Sequence, residues 1–195
     1  MEPVILASGS PQRQEYFRLL GLPFNIMPPL IDENPGEFAV PKDAAEGLAA
    51  EKVKKIIKTL QGRASGWIFG ADTVIVSEGA VFGKPENREE AKKTLQCLRG
   101  RTHEVITGMA LYNGRAKTID TRSVASKVSF AELSDAEIEW YLDSGEWQGA
   151  AGSYRIQGLA ACFITGIQGS PSSVTGLPIR EFYVMLRDNG YPYGG

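Results

Sequence analysis

WIFGADTVIVSEGAVFGKP, residues 67–85, holds two apolar runs, Trp67-Ile68-Phe69 and Val74-Ile75-Val76, each with the composition of a β-strand. Asp72 stands between them, behind Gly70. A carboxylate so placed is costly to bury unless a cation, a metal or a hydrogen-bond donor meets it. Ser77-Glu78-Gly79 turns the chain, and Ala80-Val81-Phe82 returns it to Gly83-Lys84-Pro85. The hairpin predicts Lys84 close to Asp72. An isolated Asp/Lys couple at a sheet edge is usually a structural ion pair. Here glycine on one side and Gly/Pro on the other clear space and fix the backbone, which points to an active centre.

Upstream, Val4-Ile5-Leu6-Ala7 reads as a short buried strand that runs into Ser8-Gly9-Ser10-Pro11-Gln12-Arg13. Ser10 is an N-cap, Pro11 a first helical residue, and Gly21 a stop after about Leu20. A strand, a small polar turn and a helix start together collect unpaired N–H groups and the positive end of the helix dipole, so the turn is an anion site. Arg13 in the first turn opposes that dipole unless an anion binds between them. The alternative is a plain connection with a solvated Arg13. Residues 28–41, with Asp32, Glu33 and Glu37 among prolines, read as an acidic surface loop. Asp43 and Glu46 form a capping box for a helix over 44–60. Lys52 falls on its apolar face with Leu48, Ala49, Val53 and Ile56, where it either snorkels or holds an anion.

Downstream, Asn87 and Glu90 cap a helix to Leu98, and 104–112 alternates as a strand. Asn113-Gly114 predicts a two-residue hairpin, with 116–130 returning. Ser134 and Glu137 cap a further helix that carries Ile138, Tyr141 and Leu142 on its apolar face. Residues 147–158 are too rich in glycine for a regular element. A strand over 162–167 then leads through 169–176 to a last helix opened by Pro178. Crossovers mixed with two hairpins predict an α/β fold, a mixed twisted sheet flanked by helices, with no linker that divides 1–195.

A chain of 195 residues, 43% hydrophobic and 23% charged, is an ordinary globule. A net charge of −2 argues against nonspecific nucleic-acid binding and leaves room for one small anionic ligand. Cys97 and Cys162 stand alone, and no ligand cluster surrounds His103, the single histidine, so a reduced, cytoplasmic protein is expected. No signal peptide or apolar span is present, so no membrane partner is expected. No GxxxxGK[ST] occurs, which sets a P-loop kinase aside.

LASGSPQR (6–13), GADT (70–73), GKP (83–85), GRTHEVITG (100–108), GSYRIQG (152–158) and GSPSSVTGLP (169–178) follow one another over about 4–190. Together they resemble the Maf family of nucleoside triphosphate pyrophosphatases. The resemblance implies a fold like that of the inosine triphosphate pyrophosphatases, with two lobes around a cleft. It implies hydrolysis of a nucleotide substrate to the monophosphate and pyrophosphate with Mg2+ or Mn2+, and it allows a homodimer. By position it implies that Asp72 accepts a proton and that Glu33 matches an acidic residue of the family; as carboxylates, Asp72 and Glu33 are the oxygen ligands expected for Mg2+ or Mn2+. Ser8, Ser10, Arg13, Lys52 and Lys84 then bind substrate, and Gln12, Thr73 and Gln157 sit where the family chooses its base. The threonine of GADT and the glutamine of IQG resemble the branch acting on dTTP and UTP, not the branch acting on methylated guanine nucleotides.

Two departures stand out. Gln12 replaces the first of two adjacent arginines, and Gly149-Ala150-Ala151-Gly152 replaces Asp-Lys-Ala-Gly. Each removes a cation that would face phosphate or base. The chemistry nevertheless agrees with the residues, since attack on the α-phosphorus needs a placed water, a base, and cations to take up charge on leaving pyrophosphate. Two other readings stay open. A nucleotide-binding regulator of cell division and septum formation would bind without releasing pyrophosphate. A nucleotidyltransferase would need a second-substrate site and an acid pair.

Overall fold

The two apolar runs of 67–77 make one strand rather than two. In the computed structural model, which describes residues 1–31, 40–61 and 66–193, β3 (Trp67–Ser77) passes through Asp72 without interruption. The reason lies on one edge, where β5 (Thr102–Asn113) pairs antiparallel with β3 from Trp67↔Asn113 to Val76↔Glu104. That ladder holds the backbone of Gly70-Ala71-Asp72-Thr73 extended whatever its composition. β6 (Thr118–Phe130) and β7 (Ile164–Gln168) continue the sheet antiparallel beyond β5.

The other edge of β3 is divided. β1 (Val4–Leu6) runs parallel to Trp67, Ile68 and Phe69, with β2 (Phe24–Ile26) parallel outside it. β4 (Ala80–Phe82) pairs antiparallel with Ile75, Val76 and Ser77. The order is β2-β1-β3-β5-β6-β7, with β4 beside β3. Between β1 and β4, residues 70–74 have no described strand on that edge. This break positions the site.

Helices cover both faces, so the mixed sheet flanked by helices is as expected. On one face α1 (Pro11–Leu19) and α6 (Ile179–Asp188) bring Phe17 and Phe182 onto Phe69, with ring centroids 5.1 Å apart for Phe17–Phe182 and 4.3 Å for Phe69–Phe182. On the other face α2 (Pro41–Thr59) sets Ala49, Val53 and Ile56 over Ile68 and Ala110. Two glycines let it lie that close. A Cβ on Gly108 would stand 2.2 Å from the backbone of Ala45, and one on Gly70 would stand 2.8 Å from the carbonyl of Ala49. A further core joins α3 (Arg88–Leu98) and α4 (Asp135–Asp143) through Leu95, Leu98, Ile138 and Tyr141, with Phe163 and Tyr154.

Ser10, Asn87 and Ser134 cap their helices as expected, and Ser134 with Glu137 makes the full reciprocal box. Asp43 and Glu46 do not. α2 starts earlier, at Pro41, behind Val40 and without a side-chain cap, and Glu46 instead accepts a hydrogen bond of 2.7 Å from Ser123. Proline at the first position has no N–H that needs a cap. The expected two-residue turn at Asn113-Gly114 is a longer loop, because Asn113 pairs with Thr118 and its side chain accepts from the N–H groups of Arg115 and Ala116. The strand expected from 162 starts at Ile164, since Leu159–Phe163 forms a 3-10 turn. α5 (Pro171–Thr175), capped by Ser170, occupies a stretch that reads as loop. The acidic loop around Glu33 lies largely outside the described residues. Among the described residues no helix is long and apolar enough to cross a membrane.

Candidate active site

The break in the β3 edge opens into a cavity of about 490 Å3. Its walls come from both sides of the break. The 8–13 turn between β1 and α1 supplies Ser8, Ser10, Gln12 and Arg13, and the segment after β4 supplies Lys84. Lys52, Asp72, Thr73 and Gln157 complete the set. Every expected site residue that the structure describes therefore lines one cavity, between the core around Phe17 and the core around Tyr141. Glu33 lies outside the described residues.

Asp72 and Lys52 are two buried charges on its wall, 6% and 4% exposed. Lys52 Nζ donates to Asp72 Oδ1 at 2.6 Å and to the carbonyl of Ala71 at 3.4 Å. Of the two fates open to a lysine on an apolar helix face, this one does not snorkel; it holds an anion, and the anion is Asp72. The cross-strand partner of Asp72 is Gly108, so no side chain separates the carboxylate from α2. Among the described ion pairs Asp72 is bound by Lys52, which the sequence reading did not pair with it. The β3–β4 hairpin still carries Lys84 to the cavity wall.

Thr73 points to the opposite face of the sheet from Asp72, by the alternation of the strand. There it meets Arg13, which is 9% exposed and folded inward. The guanidinium donates from Nε to the carbonyl of Gly176 at 2.8 Å, from Nη1 to Ser8 Oγ at 3.0 Å and from Nη2 to Thr73 Oγ1 at 3.3 Å. Arg13 thus ties the start of α1 to β3 and to the end of α5, which a solvated arginine would not do. Ser10 Oγ accepts from the N–H of Arg13 and donates to Gln12 Oε1 at 3.1 Å. Gln157 is exposed at the rim.

The structure adds residues that the sequence reading passes over. Tyr154 lines the cavity, and its hydroxyl lies 2.8 Å from Nε2 of His103. His103 is 1% exposed, and burial pushes it down to about 4 from its ordinary 6.5. Arg155, also on the wall, donates to the carbonyls of Glu146 and Gln148. Thr107 lies behind Thr73, with their hydroxyl oxygens 2.9 Å apart. The only sequence signal for any of these is their place inside GSYRIQG or GRTHEVITG. Both departures noted in the sequence face this cavity, since Gln12, Gly149, Ala150 and Ala151 line it.

A family model described as Maf-like protein matches residues 3–189. The chain belongs to the Maf family. Among curated relatives of this Maf chain, a dTTP/UTP pyrophosphatase of Symbiobacterium thermophilum is 40% identical over 192 residues, covering 98% of this chain and 96% of that protein. One of Pelotomaculum thermopropionicum is 39% identical and covers 98% of each. One of Bacillus cereus is 41% identical, covering 96% of this chain and 95% of its own. Among solved structures, the Staphylococcus aureus Ham1 protein matches with a TM-score of 0.42 at 12% identity, over 67% of the Maf chain and 73% of its own, too loosely to carry an argument.

Proposed function

We propose that this Maf-family chain hydrolyses dTTP and UTP to the monophosphate and pyrophosphate, acting as one unit over 1–195. The observation that carries the reading is the meeting of Asp72, Lys52 and Lys84 with the 8–13 turn around one cavity. Relatives named dTTP/UTP pyrophosphatase, about 40% identical over nearly the whole length, support the same substrate class. A water oxygen attacks the α-phosphorus, the bond from that phosphorus to the bridging oxygen breaks, and pyrophosphate leaves. Asp72 accepts the proton of the water. Lys52 holds Asp72 in place through Oδ1, while Lys84, Arg13 and the hydroxyls of Ser8 and Ser10 face the triphosphate. Gln12, Thr73 and Gln157 contact the base.

The donors suit a hard divalent ion of the magnesium kind, which needs only one or two carboxylates and fills its other positions with water and phosphate oxygens. Asp72 is the described carboxylate on the cavity wall, and no group of three or more His, Cys, Asp or Glu suited to a metal gathers among the described residues. Asp72 and Glu33 would hold Mg2+ or Mn2+, which when bound offsets phosphate charge. The exposed, unbridged Cys97 and Cys162 are in keeping with a reducing cytoplasm.

The test is pyrophosphate release from UTP, dTTP, CTP and dGTP with Mg2+ or Mn2+. The expected result is kcat/KM for UTP and dTTP well above that for the other two. Equal values for the four, or no release from any, would end the reading.

A further inference from the structure

Uracil and thymine differ from cytosine in hydrogen-bond polarity along one edge. The first two carry a donor at N3–H beside an acceptor at O4, and cytosine carries an acceptor at N3 beside a donor at the 4-amino group. A site that tells them apart needs a polar group whose own polarity is fixed. Gln157 does not supply one, because its exposed side-chain amide makes no hydrogen bond among the described residues and can present either its oxygen or its nitrogen.

Thr73 does supply one. Behind it Thr107, fully buried, donates its hydroxyl proton to the carbonyl of Ser173 at 2.8 Å, and a carbonyl oxygen can only accept. Thr107 has no second proton to give, so the 2.9 Å contact between the two threonine hydroxyls is filled by the proton of Thr73. Were the direction reversed, the oxygens of Thr107 and Ser173 would face each other with no hydrogen between them. Thr73 therefore turns only lone pairs to its other neighbours, and one of these accepts from Arg13 Nη2 at 3.3 Å. The half-buried Thr73 lines the cavity, so what it offers there is an acceptor.

We propose that Thr107 is a positioning residue that makes Thr73 a fixed acceptor for the N3–H of a uracil or thymine ring, and so excludes cytosine. The proposal rests on the nucleotide reading above for its ligand, but not on turnover. With cytosine the N3 lone pair faces the Thr73 lone pair and both stay unpaired, a mismatch worth roughly tenfold in affinity. Thr107→Val removes the hydroxyl at near-constant size. The carbonyl of Ser173 still accepts from the N–H of Gly176, so no backbone group is stranded. The proton of Thr73 is then released and can turn towards a cytosine N3.

Titration calorimetry with the α,β-imido analogues of UTP and CTP, Mg2+ present, reads the base preference without hydrolysis. The full chain is expected to favour the uracil analogue roughly tenfold. Thr107→Val is expected to bring the ratio towards one, and Thr107→Ser, which keeps the hydroxyl, to retain it. If valine does not fold, Thr107→Ala gives the same reading. An unchanged ratio in the variant lacking the hydroxyl would overturn the proposal, as would equal binding of the two analogues by the unaltered chain. Preserved uracil preference without pyrophosphate release would count against the proposed hydrolysis and leave Thr107 in its role. Binding of neither analogue would end both.

Discussion

Lys52 and Asp72 leave water almost completely, and each is buried with the other as its charge partner at 2.6 Å. Attraction inside a protein offsets much of the desolvation of such a pair, but removing one member strands the other. Lys52→Ala is therefore expected to cost about 3–5 kcal/mol, read as a fall in the urea midpoint. Asp72→Asn should lower kcat by about 10²–10⁴-fold, the usual scale for a lost general base. Adding Asp72→Asn to Lys52→Ala should recover part of the lost stability, because the stranded carboxylate goes with it. A midpoint that stays put in Lys52→Ala would mean that water or another cation replaces the lysine.

The placement of α2 is an element-scale matter and rests on absent side chains. Gly70 and Gly108 flank Asp72 on the face that meets the helix, one along β3 and one across on β5. At Gly108 an added methyl group would run into the backbone of Ala45 and Glu46, which cannot swing aside as a flexible side chain can. Gly108→Ala must lift α2 from the sheet and draw Lys52 from Asp72. The expected loss is about 1–3 kcal/mol from overpacking, with a fall in kcat/KM beyond what stability explains. Denaturation and kinetics on the same preparation separate the two. Activity at the original level with lowered stability would show that the helix adapts without moving Lys52.

At the scale of the whole molecule, His103 joins the long strands to the segment that closes the cavity. It lies on β5, edge-on to Phe130 and Tyr154, and its Nε2 meets the Tyr154 hydroxyl while its buried Nδ1 has no hydrogen-bond partner among the described residues. Burial holds the folded ring near 4, below its ordinary 6.5. Between these values the unfolded chain takes up a proton that the folded chain refuses, so stability falls as pH falls through that window. Unfolding free energy should drop by roughly 3 kcal/mol from this group between pH 7 and pH 4. Denaturant melts across that range, compared with His103→Gln, isolate the contribution because carboxylates titrate in both proteins. Parallel pH curves for the two would show that His103 does not carry it.

Much of this arrangement is legible in the chain alone. The caps at Ser10, Asn87 and Ser134, the strand composition of 67–77 and the spaced motifs give three helix starts, the central strand and the family, because each is a local matter of a few residues. The same motifs name Asp72, Lys84 and Arg13, and the apolar helix face names Lys52, before their positions are known. Composition could not join the two runs flanking Asp72, because β5 on the far edge holds them as one strand. Nor could it choose Lys52 over Lys84 as the partner of Asp72, since that depends on how closely α2 approaches at Gly70 and Gly108. The cavity exists because β1 and β4 cover different ends of the same edge. The direction of the Thr73 hydroxyl is set through Thr107 by a carbonyl in α5, distant in sequence. Local propensities act over one turn of chain, whereas edges, approaches and proton directions are settled only when distant segments meet.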